Sequence, residues 1–249
     1  MEEVSFQSLV DPLVKDVKMV YLDQRGCGRS QHDPQRNYSL PRLIEDMEEV
    51  REQLQIDKWF VMGHSFGGIL ATNYAYRYPE RTKGLILINA TLNMKASFQH
   101  LINKGLDQLG KRNEELVQED STKAIVENAN KVIRTLIERK KYDQLQFVNE
   151  KNKQNVDQLD VGIQSDPHFQ STVFSSEEYF QNFTQLTAKI NHPTLIISGE
   201  YDDAIGPHHY QAFQFKHAVV HQLKSAHHPY LENQEEFQNI INQYFKEHA

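Results

Sequence analysis

Cysteine, long apolar runs and clusters of basic residues are all scarce in this chain of 249 residues. Its single cysteine, Cys27, excludes an intrachain disulfide and fits a reducing, cytoplasmic location. No apolar run approaches the length of a membrane span, and the first residues, MEEVSFQSLV, lack the basic start and apolar stretch of a signal peptide. We therefore expect a cytoplasmic protein with no membrane partner.

The chain also lacks the patterns that mark nucleic-acid, metal and nucleotide sites. The formal net charge is −7 and no run of Lys or Arg stands out, so nucleic acid is a poor partner. The 12 histidines invite a metal site, but no cysteine cluster or HExxH pattern accompanies them. A P-loop and a dinucleotide-binding glycine pattern are absent as well. We expect neither a metal nor another cofactor.

Short apolar runs alternate with segments of helical periodicity along much of the chain. Five runs are typical of buried strands: 18–22, 58–63, 84–90, 193–199 and 218–225. Helices are predicted from Ser39 to Leu54, at 67–78 before Pro79, and from about Glu232 onward. This order predicts an α/β fold with a mostly parallel sheet and flanking helices.

The alternation stops between residues 93 and 190, where no comparable apolar strand occurs. An amphipathic helix is predicted there from an apolar stripe: Val126, Ala129, Val132, Ile133, Leu136 and Ile137. We therefore divide the chain into a core, residues 1–92 and 191–249, and a helical cap, residues 93–190.

The most informative motif is Gly63-His64-Ser65-Phe66-Gly67, between a predicted strand and a predicted helix. A glycine-rich turn is common in α/β proteins, but here the turn is expected to be so sharp that a side chain at either glycine would meet backbone. Such a turn holds a serine hydroxyl at the carboxyl edge of the sheet. The helix N-terminus then favours negative charge, and the amide of Phe66 can donate to an oxyanion.

A serine nucleophile needs a base and a group that orients the base. Asp202 follows the strand that ends at Gly199, with Asp203 in reserve, and two histidines, His227 and His228, follow the last strand. The order Ser, Asp, His is the one expected for this kind of fold. The residues alone leave the choice between the two histidines open.

Four segments together resemble the α/β-hydrolase superfamily, and within it the proline iminopeptidases and their esterase and amidase relatives: DQRGCGRS, GHSFGG, GEYDDAIGP and SAHHPYLENQEEF. The resemblance implies that Asp202, three residues after a glycine, is the acid. It also implies that His227, two residues before Pro229 and five before Glu232, is the base. Asp23 and Arg25 of DQRG would then hold the fold, and Cys27 would have no part in catalysis.

The chain departs from the family at its start. The family's first three strands and its His-Gly-rich loop precede DQRG, whereas residues 5–16 already resemble the helix that follows that loop. We expect the loop's oxyanion donor to be lacking, which typically costs about 3 kcal/mol. The third strand would lie between the strands at 18–22 and 58–63, so its absence would leave a gap or force those two strands together.

The expected partner is a small-molecule ester or peptide. An aminopeptidase needs a site for a protonated amine, and residues 154–188 carry five acids and neither Lys nor Arg: Asp157, Asp160, Asp166, Glu177 and Glu178. An acidic solvated surface is the alternative explanation. A carboxylesterase needs only an apolar pocket beneath the cap. A truncated hydrolase fold that binds a ligand without catalysis is the hypothesis from another class.

Overall fold

A computed structural model describes residues 3–111, 121–159 and 165–248. The strands are β1 (Trp59–His64), β2 (Thr82–Ile88), β3 (Thr194–Gly199) and β4 (Ala218–Leu223). The α-helices are α1 (Glu3–Val10), α2 (Leu40–Gln53), α3 (Gly67–Arg77), α4 (Met94–Leu109), α5 (Thr122–Glu138), α6 (Glu150–Leu159), α7 (Pro167–Ser175), α8 (Pro229–Glu232) and α9 (Gln234–His248).

The four strands form a parallel sheet in the order β1-β2-β3-β4. The central strands β2 and β3 are almost continuous apolar runs, and all residues of β3 are buried. Such runs suit strands that have helices on both faces. The two edge strands are more exposed, and 55% of Val219 on β4 is accessible. Because parallel strands end at one edge, the residues that follow β1, β3 and β4 meet at that edge.

Two hydrophobic clusters pack on opposite faces of the sheet. One joins α2 and α3 to β1 and β2, with Leu43, Ile69 and Leu85 fully buried. The other packs Phe237 and Ile241 of α9 against the sheet. This is the flanked parallel sheet that the alternation of strands and helices predicted.

The predicted strand at 18–22 is wrong, because these residues have no regular secondary structure. Residues 16–22 instead line one side of a cavity of about 890 Å³, and all six residues of β1 line the same cavity. Among the described residues, β1 pairs only with β2. A strand is stabilised by hydrogen bonds to a neighbour, and no strand in the described part of the chain lies beside 18–22. Among the described residues, a cavity therefore separates 18–22 from β1.

The segment predicted as a cap is helical over most of what the structure describes, from α4 to α7. Ser121 caps the N-terminus of helix α5, because its side chain accepts a hydrogen bond from the Ala124 amide. The buried part of the predicted stripe packs against α4, whereas Ile137 is 57% exposed and does not belong to the buried face. The boundaries at 93 and 190 stay a prediction.

Candidate active site

Ser65 lies at the junction of β1 and α3 with a φ of +52°. Its amide donates to the carbonyl of Ile88 (3.1 Å), and its carbonyl accepts from the amides of Gly68 (3.0 Å) and Thr91 (3.1 Å). A positive φ at a residue with a side chain is unfavourable and persists only where surrounding contacts impose it. The end of β2 thus holds Ser65 in the strained turn that the motif predicted.

The glycines of this turn differ from the prediction in one respect. A Cβ at Gly63 would collide with the backbone of Gly67, as expected. A Cβ at Gly67 would meet nothing within 4 Å, so the expected collision there is wrong. The constraint falls on Gly68, where a Cβ would collide with Ala90. Close packing of α3 on the end of β2 explains that requirement.

His227 and Asp202 meet at the carboxyl edge of the sheet. His227 Nδ1 lies 2.8 Å from Asp202 Oδ2, and the Asp202 side chain is fully buried. The other oxygen, Oδ1, accepts from the amides of Ala204 (3.0 Å) and Ile205 (3.3 Å). Because the carboxylate accepts, Nδ1 carries the proton and Nε2 is left as the basic nitrogen. His227 and Ser65 line the same cavity.

Asp203 and His228, the alternatives to Asp202 and His227, have other hydrogen-bond partners. Asp203 lies 3.1 Å from both His100 Nε2 and Lys104 Nζ on α4. Burial alone would raise the pKa of Asp203, but hydrogen bonds from these two cap residues outweigh it and lower that pKa. His228 Nδ1 is bonded to the hydroxyl of Tyr230 (2.8 Å), and its ring stacks on Phe147. Asp202 and His227 thus contact each other. Their neighbour Asp203 contacts α4, and His228 contacts Phe147 and Tyr230.

His64, inside the serine motif, holds the backbone of His227. Its Nε2 donates to the carbonyl of His227 at 2.8 Å, and its ring lies 4.6 Å from the His227 ring. Burial, with the nearby His227 ring, lowers the pKa of His64 to about 3. His64 is therefore neutral near neutral pH and donates through Nε2 only.

Residues 146–152 of the predicted cap are bonded directly to the loop that carries His227 and to Glu232. The His227 amide donates to the carbonyl of Gln146 (3.0 Å). Glu232 accepts from the amides of Ala226 (2.6 Å) and Val148 (2.7 Å) and from the side chain of Asn152 (3.0 Å). A carboxylate that bridges the two segments makes stronger hydrogen bonds than a neutral acceptor would.

Phe66 places its amide at the N-terminus of α3, next to Ser65, as the oxyanion prediction requires. Its ring contacts Phe169 (6.4 Å) and Tyr179 (5.5 Å) of the predicted cap. Other residues of that segment line the cavity beside Ser65: Tyr142, Gln146 and Phe174. Residues of the predicted cap thus contact the turn that carries Ser65 and line the cavity beside it.

None of the predicted amine-binding acids that the structure describes lines this cavity. Asp157 pairs with Lys153, and Glu177 is exposed. Asp166 is buried, accepts from Tyr38 Oη (2.5 Å) and caps α7 through the amide of His168 (2.8 Å). Asp160 lies outside the described residues. Within the described ranges, the acid in the cavity wall is Asp16, on the segment that faces β1.

The DQRG loop is tied to the core. Arg25 donates from Nε and Nη2 to the two carboxylate oxygens of Asp46 on α2, each at 2.5 Å. Its third nitrogen, Nη1, donates to Asp33 (2.6 Å). Asp23 accepts from Nε of Arg29 (2.5 Å). Cys27 is 1% exposed and packs in the core. These contacts agree with a fold-holding part for Asp23 and Arg25.

Neither a metal-binding cluster nor a membrane-spanning helix occurs in the described ranges. No three His, Cys, Asp or Glu side chains within 3–111, 121–159 and 165–248 come together as a metal-binding group. In that same part of the chain, no helix combines the length and the apolar composition needed to cross a bilayer.

Three residues that contact the backbone of His227 were not predicted from the sequence: His64, Gln146 and Asn89, whose side chain donates to the His227 carbonyl (3.0 Å). His64 was visible inside the motif but carried no signal of its contact with the His227 carbonyl. Gln146 acts through its carbonyl, which any residue has. Asn89 had a weak signal, a polar residue directly after the buried strand β2.

Comparison with known proteins supports the fold. A model of the alpha/beta hydrolase fold matches residues 3–234. The proline iminopeptidase of Heyndrickxia coagulans is 27% identical, in a match that covers 93% of this chain and 82% of that protein. The proline iminopeptidase of Neisseria meningitidis serogroup B is 46% identical over 76 residues, 28% of this chain. The matched stretch spans only 23% of that relative's length.

Solved structures show the same fold at low identity. The proline iminopeptidase-related protein of Thermus thermophilus superposes with a TM-score of 0.79 at 21% identity, covering 97% of this chain and 84% of that one. An esterase of Exiguobacterium antarcticum gives a TM-score of 0.69 at 19% identity, covering 98% and 88%. The family match begins at residue 3, so the predicted absence of three strands stays a prediction. Since the family model spans nearly all of the sequence, the chain belongs to the alpha/beta hydrolase fold family, as its four motifs predicted.

Proposed function

We propose that this chain is a serine hydrolase that cleaves an ester or amide through an acyl-enzyme. Ser65 is the nucleophile, His227 the general base and Asp202 the group that orients the base. The observation that carries the proposal is the 2.8 Å contact between His227 Nδ1 and the buried Asp202 carboxylate, in a loop that shares a cavity with Ser65.

In the proposed mechanism, His227 Nε2 takes the Ser65 proton while the hydroxyl oxygen attacks the acyl carbon. The oxyanion that forms accepts a hydrogen bond from the amide of Phe66, aided by the N-terminus of α3. His227 then returns the proton to the leaving alcohol or amine. In the second step His227 takes a proton from water, whose oxygen attacks the acyl carbon. The bond to Ser65 Oγ breaks, His227 gives the proton to that oxygen, and the acid leaves.

The substrate is proposed to be a small-molecule ester, with an aminopeptidase activity as the second candidate. The ester is favoured because the described acids of the cap line no part of the cavity that contains Ser65 and His227. The aminopeptidase is supported by the names of the relatives from Heyndrickxia and Neisseria. Turnover of short acyl esters without turnover of aminoacyl anilides would exclude the aminopeptidase.

A fluorophosphonate probe tests the mechanism, since it reacts with an activated serine. We expect the wild-type chain to be labelled, and Ser65→Ala and His227→Ala to remain unlabelled while they stay folded. His228→Ala should still be labelled, because its ring stacks on Phe147 and takes no part in the contact with Asp202. An unlabelled, well-folded wild-type chain would instead favour a hydrolase fold that binds without catalysis.

A further inference from the structure

Asn89 directly follows β2 and is buried at the carboxyl edge of the sheet, with 0% of its surface exposed. Its φ is +39°, in the left-handed region that asparagine tolerates better than most residues with a side chain. Its amide donates to the carbonyl of Ile197 on β3 (2.8 Å). A strained residue at this edge of the sheet indicates that neighbouring groups impose its conformation.

Both ends of the Asn89 side chain are used. Oδ1 accepts from the amide of Gly199 (2.7 Å), the last residue of β3. Nδ2 donates to the carbonyls of Ala226 (2.9 Å) and His227 (3.0 Å). One amide group thus connects the end of the strand that precedes Asp202 to the loop that carries His227.

The backbone of His227 is therefore held from three sides. Its carbonyl accepts from Asn89 and from His64, and its amide donates to Gln146. Only the ring is left to turn, and the contact of Nδ1 with Asp202 limits that rotation. Asn89 is the member of this set that also contacts Gly199, and so its side chain links the strand before Asp202 to the loop that carries His227.

We propose that Asn89 is a positioning residue: it joins the end of β3 to the histidine loop and so aligns His227 between Asp202 and Ser65. The inference rests on the proposed hydrolase mechanism. An aspartate at 89 would keep the acceptor for Gly199 but lose both donors. It would also direct a carboxylate at the carbonyls of Ala226 and His227, which repel it.

Asn242 provides a matched control, because its side chain makes the same three kinds of bond far from the site. Oδ1 accepts from the amide of Lys15 (2.8 Å), and Nδ2 donates to the carbonyls of Leu13 (2.8 Å) and Gln238 (2.8 Å). Asn242→Asp therefore removes the same two donations without touching the histidine loop.

The test compares Asn89→Asp with Asn242→Asp, each shown to be folded by circular dichroism. We expect Asn89→Asp to slow fluorophosphonate labelling of Ser65 by about tenfold to a hundredfold and to lower kcat for an ester substrate with little change in KM. Asn242→Asp should label at the wild-type rate. Labelling of folded Asn89→Asp at the wild-type rate would overturn the proposal. Should Asn89→Asp fail to fold, Asn89→Ser, which cannot span Gly199 and both carbonyls, is judged by the same criteria.

A second measurement keeps this test separate from the proposed function. The Nδ1 proton of His227, bonded to Asp202, should give a downfield proton resonance. Asn89→Asp should shift or broaden that signal, and Asn242→Asp should leave it unchanged. If wild type is not labelled, the proposed hydrolase fails, yet loss of the resonance in Asn89→Asp alone would still support the positioning by Asn89. An unchanged resonance would overturn it.

Discussion

At the scale of single residues, the site contains two adjacent pairs whose members differ in their contacts rather than in their chemistry. Asp202 is buried against His227, whereas Asp203 is held by His100 and Lys104 of the cap. His227 likewise contacts Asp202, whereas His228 is bonded to Tyr230 and stacks on Phe147. Residue types alone could not separate the members of either pair, because each pair shares one loop and one kind of side chain.

Asp202→Asn should lower kcat by several orders of magnitude, since an amide in place of the carboxylate favours the wrong tautomer of His227. Asp203→Asn should change kcat by less than about tenfold, because it removes charge from a contact with α4 and not from the base. Steady-state ester turnover measures both. The reverse ranking of the two variants would assign the orienting group to Asp203.

His64 should make the protein less stable as the pH falls. In the folded chain the pKa of His64 is about 3, well below the ordinary value of 6.5, because of burial and the neighbouring His227 ring. Between these values the unfolded chain binds a proton that the folded chain does not, so the free energy of unfolding decreases as the pH drops through 6.5 toward 3. The titratable neighbours of His64 include His227, His228, Tyr230 and Asp202.

His64→Gln, which can still donate to the His227 carbonyl, should weaken this pH dependence. The measurement is the free energy of urea unfolding at about pH 7 and about pH 5. Some dependence should remain, since burial also lowers the pKa of His209 and of His228. His217→Gln, at an exposed position, is the control. Equal losses of stability in wild type and His64→Gln would contradict the argument.

At the scale of secondary-structure elements, residues of the predicted cap are bonded to the loops that carry Asp202 and His227. Helix α4 binds Asp203, next to the acid, and residues 146–152 bind Glu232 and the amide of His227. We expect motion of the predicted cap to be coupled through these contacts to the alignment of His227. This coupling arises from backbone groups and from one carboxylate that reaches across 84 positions of sequence to Val148.

Glu232→Ala should loosen the cap and slow the labelling of Ser65 by about tenfold, because three hydrogen bonds to one carboxylate are lost. Hydrogen bonds to a charged group are worth about 1.5–3 kcal/mol each. Limited proteolysis should cut residues 146–152 faster in this variant than in wild type. Glu236→Ala, which loses only a surface bond to Asn233 (2.7 Å), is the control. Unchanged proteolysis and labelling in Glu232→Ala would show that the cap is held by other contacts.

The elements that sequence predicted well are those whose signal is local. The strands β1 to β4 were placed within two residues, since each is a short apolar run that ends in a turn. The helix at 67–77 ended before Pro79 as expected. The predicted strand at 18–22 is absent, because strand formation depends on a neighbouring strand and not on composition alone. The part proposed for Asn89 depends on three chain segments that meet only in the fold.

At the scale of the whole molecule, the unusual feature is the cavity between residues 16–22 and β1. Its volume is about 890 Å³, and apolar side chains such as Trp59, Phe60 and Met62 line it. The edge of β1 that faces it has no strand partner among residues 3–111, 121–159 and 165–248. A cavity of that size costs packing energy, and a free strand edge favours association with other chains.

A segment that supplies a strand and a His-Gly-rich loop should fill the part of this cavity between residues 16–22 and β1, and should leave open the part beside Ser65 and His227. Fused ahead of residue 1, it should pair with the free edge of β1, which satisfies backbone groups and buries the apolar lining. We expect the free energy of unfolding to rise, binding of a hydrophobic dye to fall, and association in light scattering to decrease. A fused sequence of the same length without apolar residues is the control.

The same fusion should raise ester turnover by roughly a hundredfold, because the loop would add a second amide donor beside that of Phe66. Stability and turnover can be separated by replacing the loop glycines while keeping the strand. That variant should remain as stable as the full fusion and lose the gain in kcat. If the chain of 249 residues proves stable, monomeric and as fast as the fusion, the cavity has another purpose and the second donor comes from residues already present.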